Sequence, residues 1–278
     1  MLTTNQQQHF KTFGFLVVPD RFSGDELQRL TGEFEKQSGG LPRAGGDDGV
    51  TRSIDFLDQS NQSARLLEDQ RLEDLMESLL GPEAFYMQNL AAVWAGDQSW
   101  RAIMGWHVGI SAGRSQALGE FGAHYFPGAR AIINLDQVNH GCSRAIAGSH
   151  RVPYHDQLWT LSAGIAKIQE DQPSLRAAVD ALCQRDDISG ERRRRLFEDP
   201  AANCFEVDPR QVPHTVLRIE PGDLLILDHM LWHAHFGNGA RRSIEIDWKG
   251  PPTAPSQREW IERQLPALRA RQRQAEAG

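Results

Sequence analysis

Residues able to hold a metal ion or an organic anion gather in three short segments of the chain. The first is Gly105-Trp106-His107-Val108-Gly109. The second begins at Asn139-His140-Gly141-Cys142 and closes in Gly148-Ser149-His150. The third runs from Pro221-Gly222-Asp223 through an apolar stretch to His229, His233 and His235, with Asn238 and Arg241 after it. Imidazole is the commonest protein ligand for a metal. The planar fork of arginine binds a carboxylate through two parallel hydrogen bonds. The spacing His229-x-x-x-His233 invites a zinc reading, but it lacks the glutamate of a metalloprotease helix and lies where a strand is expected, so zinc hydrolysis is disfavoured.

The elements that must position these segments are predominantly β. Alternation and turn residues predict strands over 85–95, 103–110, 129–135, 217–227 and 241–248. Helices come first. Residues 5–12 read as a short helix, followed by the strand Phe15-Leu16-Val17-Val18, which Pro19 ends. Ser23 and Glu26 form a capping box for a helix reaching about Gln37. The glycine-rich stretch 39–49 reads as a loop. Residues 63–80 carry Leu66, Leu67, Leu72, Leu75, Met76, Leu79 and Leu80 on one helical face, stopped by Gly81-Pro82. A helical insert over 154–213, carrying Arg192 to Arg195, interrupts the strands, and an amphipathic helix over 257–274 ends the chain. Together these predict one domain over 1–278, a β-barrel or sandwich buttressed by helices, with the insert as its lid.

Composition narrows the classes of function. With 30 basic and 37 acidic residues the formal charge is −7, which argues against binding nucleic acid polymers. Three cysteines without paired spacing argue against a disulfide framework and for a reducing, cytoplasmic setting. The first ten residues lack the apolar core of a signal peptide. No apolar run approaches the roughly 20 residues that span a bilayer.

Taken in order, the three segments resemble the phytanoyl-CoA dioxygenase family of iron(II)/2-oxoglutarate oxygenases, and Phe10-Lys11-Thr12-Phe13-Gly14-Phe15-Leu16-Val17-Val18 looks like that family's opening. The resemblance covers most of the chain apart from the insert and the tail. It implies a double-stranded β-helix, or jelly roll, with the site in the barrel mouth. It implies His107 and His233 as iron ligands and Arg241 as the partner of the 2-oxoglutarate C5 carboxylate, with Arg242 the nearest competitor. Gln88 and His235 match positions where relatives place groups near the co-substrate.

The departure from the family pattern is Gly109, where relatives carry the carboxylate of a two-histidine, one-carboxylate triad. Glycine removes one anionic ligand and leaves room for a halide, which restores the lost charge. The same substitution characterises the iron/2-oxoglutarate halogenases, in which decarboxylation of the co-substrate with O2 drives hydrogen abstraction and the carbon radical takes chlorine. Three rival readings of Gly109 stand beside this one: a carboxylate supplied from Glu120 or Asp136, a degenerate relative that binds little metal, and an introduced substitution.

The expectation is therefore a halogenase needing Fe(II), 2-oxoglutarate, chloride and O2. Its substrate would be a free, anionic small molecule rather than one tethered to a carrier protein, with Arg192 and Arg193 as candidate substrate clamps. A general similarity to the halogenases of nucleoside-antibiotic pathways points to a deoxyadenosine nucleotide. Trp94, Trp106 and Trp232 read as core packing or as an aromatic wall. Cys142 has no evident partner that would activate its thiol.

Overall fold

The computed structural model describes residues 2–37, 50–54, 56–57, 64–94, 98–101, 127–137, 143–150, 208–236 and 241–252, with single positions at 255, 258 and 262. The expected strand at 103–110, the loop at 39–49, nearly all of the 154–213 insert and most of the 257–274 helix lie outside them.

Helix α1 (Thr4–Phe13) opens with reciprocal bonds between Thr3 and Gln6. It ends at Gly14, whose φ of +82° suits a residue without a Cβ. A Cβ there would also lie 2.5 Å from His150 Nδ1 and 2.8 Å from Leu231 Cδ1, so glycine lets the chain turn tightly against two later loops. Helix α2 (Gly24–Gln37) carries the expected capping box: the Ser23 N–H donates to Glu26 Oε2 at 2.8 Å and the Glu26 N–H donates to Ser23 Oγ at 3.3 Å. Helix α3 (Gln70–Leu80) starts later than the apolar pattern predicts. The Asp69 carboxylate accepts the Arg71 N–H at 2.9 Å and caps the helix there, leaving Leu66 and Leu67 in the preceding turn.

Among the described residues, ten strands form two antiparallel sheets. They are β1 (Phe15–Val18), β2 (Val50–Ile54), β3 (Phe85–Trp94), β4 (Gln98–Arg101), β5 (Gly128–Asn134), β6 (Ser143–Ala145), β7 (Thr215–Leu217), β8 (Leu224–Asp228), β9 (His233–His235) and β10 (Arg241–Lys249). The larger sheet has the order β1-β8-β5-β10-β3-β2 and the smaller one β4-β9-β6-β7. From β3 onward the strands alternate between the two sheets, except that β6 and β7 are neighbours in the smaller one, which is the order of a double-stranded β-helix.

The stretch read as one strand over 217–227 is in fact two, in different sheets. Pro221 and Gly222 turn the chain, with Gly222 at φ +94°. Asp223 secures the corner by accepting the Glu220 N–H at 2.9 Å and the Asp20 N–H at 3.0 Å. Apolar residues on either side of such a turn look continuous in sequence.

One face of the larger sheet packs against the helices: Ala91, Val93, Ala131, Ile133, Ile226, Ile244, Ile246 and Trp248 join Phe10, Phe34, Leu75 and Met76 in the main core. The opposite face meets the smaller sheet. Ile132, Leu225 and Leu227 from the larger sheet pack there with Ala145 and Leu217 from the smaller one. This second face is the barrel interior. Among the described residues no helix is long and apolar enough to cross a membrane.

Candidate active site

Strand register decides which candidate residues reach the interior. On β9, His233 pairs with Ala145 and His235 pairs with Ser143, which in turn pairs with Leu217. Ala145 and Leu217 belong to the interior cluster, so both histidines face inward and Ala234 faces out. His233 is half-buried and His235 is buried. His233 Nδ1 lies 3.0 Å from the Leu231 carbonyl oxygen. A carbonyl only accepts, so the ring proton sits on Nδ1 and the lone pair on Nε2. A backbone-fixed tautomer of this kind leaves Nε2 as the nitrogen able to ligate a metal.

On β10 the odd-numbered side chains are the inward set. Arg241 pairs across to Trp94, and Ser243 lies between Ala92 and Asn134. Arg241 is buried. Its Nη1 donates to Asn134 Oδ1 at 3.2 Å, and its guanidinium carbon lies 5.2 Å from the centre of the Trp94 ring. Trp94 is itself held, its indole N–H donating to Ser243 Oγ and Glu245 Oε1, both at 3.0 Å.

Arg242 points to the other face. It grips Asp136 through Nε at 3.0 Å and Nη2 at 2.6 Å, donates to Glu35 at 2.9 Å, and lies 5.9 Å from the Phe34 ring. Asp136, one of the two carboxylates weighed as a relocated metal ligand, is thus bound to an arginine on the helix side of the sheet. His107, Gly109, Glu120, Arg192 and Arg193 lie outside the described residues, as do Trp106 and Cys142.

Gln88 is placed differently from its expected role. Its amide donates to Asp247 Oδ2 at 2.7 Å, and its ladder partner is Asp247. Six ladder positions separate that pair from Trp94 and Arg241, about 20 Å at the usual rise per residue. Gln88 lies on β3, on the inward face, and is bonded to Asp247 at a distance from Arg241. Asn134 is the residue that lies beside Arg241 instead. Its signal in the sequence is a lone amide closing the apolar run Ala131-Ile132-Ile133.

At the depth of Gln88 the interior is charged and paired. Arg130 donates through Nε to Asp247 Oδ1 at 2.7 Å, through Nη2 to Asp247 Oδ2 at 2.8 Å and through Nη1 to Glu245 Oε2 at 2.6 Å. Burial alone would raise the Asp247 carboxyl, but the Arg130 charge and bonds, with His229, hold it well below the ordinary carboxylate range. His229 donates from Nε2 to Asp247 at 3.1 Å. Burial, then the neighbouring Lys249 charge, lower its pKa to about 4. Burial likewise brings Lys249 down to about 8, against the pull of Asp247 and Asp228. His229 is therefore a neutral, internally bonded group four residues before His233. The segment between them is a turn and not a helix, which agrees with the reading against zinc hydrolysis.

No protein-family model and no curated protein matches this sequence. Solved structures do match in shape. The non-heme alpha ketoglutarate dependent carbocyclase SnoK from nogalamycin biosynthesis aligns over 90% of this chain and 84% of its own at 14% identity, with a TM-score of 0.59. HygX from Streptomyces hygroscopicus, solved with nickel and 2-oxoglutarate bound, aligns over 90% and 88% at 18% identity and a TM-score of 0.56. EctD from S. alaskensis, solved with 2-oxoglutarate and 5-hydroxyectoine, aligns over 90% and 76% at 20% identity and a TM-score of 0.53. The chain shares its fold with these proteins. At such identities the shared property is the double-stranded β-helix itself, and chemistry must be argued from the side chains.

Proposed function

We propose that this chain is a non-haem iron(II)- and 2-oxoglutarate-dependent halogenase that chlorinates an unactivated sp3 carbon of a free, anionic small molecule. What carries the reading is the register that brings His233, His235 and Arg241 to the interior face of this fold. The donor set suits the group it would hold. His233 presents Nε2 with its tautomer fixed by the Leu231 carbonyl, and the buried Arg241 offers a fork of N–H donors to a carboxylate. His107 would be the second imidazole, and Gly109 would leave the place of a third protein ligand to chloride.

When bound, iron with 2-oxoglutarate and O2 supplies the oxidising power for hydrogen abstraction. The chain's own part is placement. Arg241 fixes the co-substrate's distal end, Trp94 and Asn134 hold Arg241, and His235 lies on the same interior face as His233. The halide branch is supported by the glycine at 109 and by Asp136, whose carboxylate is taken by Arg242 on the opposite face. The candidate substrate clamps are Arg192 and Arg193, and a deoxyadenosine nucleotide is the first substrate to try.

The test is incubation with Fe(II), 2-oxoglutarate and O2, with and without chloride, against deoxynucleotides, other anionic metabolites and a carrier-tethered acyl group. The reading expects substrate-stimulated 2-oxoglutarate consumption and a mass gain of one chlorine only when chloride is present. Oxygen insertion regardless of chloride would replace it with a hydroxylase reading, and Glu120→Gln would then show whether that carboxylate holds the iron. Gly109→Asp should abolish chlorination. Undiminished chlorination by that variant would overturn the halide assignment.

A further inference from the structure

Asn134 ends β5 at full burial, on the interior face, with Ser243 as its ladder partner and Arg241 two residues further along the neighbouring strand. A guanidinium has only donors, so the amide atom facing Arg241 must be the oxygen, as the 3.2 Å contact from Nη1 to Oδ1 records. That contact fixes the orientation of the whole amide. It turns Nδ2, with two N–H groups, away from Arg241, and among the described residues this buried nitrogen has no hydrogen-bond partner. A buried amide left without an acceptor costs about 1–3 kcal/mol, so an acceptor supplied by a bound ligand is the economical account of it.

We infer that Asn134 is a positioning and binding residue for the distal carboxylate of the co-substrate. Its Oδ1 holds the Arg241 guanidinium, and its Nδ2 donates to the anion that Arg241 attracts. This rests on the 2-oxoglutarate reading above and extends it to a residue on a different strand. The division of labour has a physical basis. Trp94 supports the arginine from below through its ring face, and Asn134 supports it from the side through one oxygen, so the guanidinium is pre-set in direction before any ligand arrives. A neutral amide does this without competing with the incoming carboxylate for the arginine's charge.

The test is anaerobic equilibrium binding to the Fe(II)-loaded full chain, followed through the visible charge-transfer band of the metal-chelated 2-oxo acid. Two probes are compared: 2-oxoglutarate, and 2-oxobutyrate, which keeps the chelating end and lacks the distal carboxylate. Asn134→Ala should raise the Kd for 2-oxoglutarate roughly 10- to 100-fold, the range for a lost hydrogen bond to a charged group, while the Kd for 2-oxobutyrate stays within about twofold. Asn134→Asp, nearly the same shape, should weaken 2-oxoglutarate further because its carboxylate occupies Arg241. It also serves where the alanine variant does not fold. Equal losses for both probes would reduce Asn134 to a structural role and overturn the inference, as would no loss for either. A parent protein that forms the chelate with 2-oxobutyrate and gains nothing from the distal carboxylate would overturn it too, with the metal site left standing. A parent that forms no chelate with either probe would remove the iron reading and this inference together.

Discussion

The two ends of strand β10 carry the same kinds of residue to opposite effect. At the Asp247 end, Arg130 is matched by two carboxylates, His229 is neutral and bonded through Nε2, and Gln88 adds a second donor to Asp247 Oδ2. At the Arg241 end, the cation is held by a neutral amide and an indole face, and the amide keeps a donor without a described acceptor. Buried charge that is internally balanced is architecture. At the Arg241 end the proposed anion site rests on the Asn134 amide, whose Nδ2 has no partner among the described residues. Burial is therefore a poor discriminator between the two ends; unpartnered buried nitrogens occur at both, His229 Nδ1 at one and Asn134 Nδ2 at the other, and what differs is that the Arg130 cation is paired with carboxylates.

The sharpest way to break this contrast is to exchange the expected consequences. Arg130→Met leaves Asp247 and Glu245 buried without their cation and should cost about 3–5 kcal/mol of folding free energy, read as a lowered urea midpoint. If that variant kept the parent's stability and lost 2-oxoglutarate binding instead, the assignment of the two ends would be reversed.

A second effect is pH-dependent. His229 has a folded pKa of about 4, below the 6.5 of the exposed group, so the unfolded chain takes up the proton first on acidification. The stability that His229 contributes is present above pH 6.5 and is lost as the pH falls through about 4, amounting to at most about 3 kcal/mol. Compared with the parent across that window, His229→Gln should lose less stability per pH unit. Parallel pH profiles would remove His229 from the account.

The smallest effect belongs to Arg242. Its ion pair with Asp136 is partly exposed, each side chain about a quarter accessible, so Arg242→Met should cost no more than about 1 kcal/mol and leave 2-oxoglutarate affinity unchanged. A large loss of co-substrate affinity in Arg242→Met, with Arg241→Met harmless, would exchange the roles of the two arginines.

Much of the molecule was legible residue by residue. The capping box at Ser23, the strand after Gly14, the polarity alternation of residues 241–248 and the order of the three chemical segments all follow from local chemistry. The start of α3 is not legible in the leucine pattern, which begins before Asp69, whereas the Asp69 carboxylate caps the first turn and sets the start of the helix. The break between β7 and β8 is hidden because Leu217 and Leu224 are both buried apolar residues, one in the barrel interior and the other in the helix-side core of a different sheet. A resemblance could put Gln88 on a strand with co-substrate residues but not give its depth: the register sets it beside Asp247, six positions from Arg241.

By itself the chain's order of residues determined most of the described elements, their two-faced patterning, and a glycine two residues after His107. Tertiary structure alone decided which face is the inside. The polar side of β10 would read as the solvent side of an ordinary amphipathic strand, yet Arg241, Ser243, Glu245, Asp247 and Lys249 are all buried. A period of two defines two faces and cannot say what covers either one. That is settled by the smaller sheet closing over the polar face while the helices cover the apolar face, which places Arg241 inside and Arg242 outside.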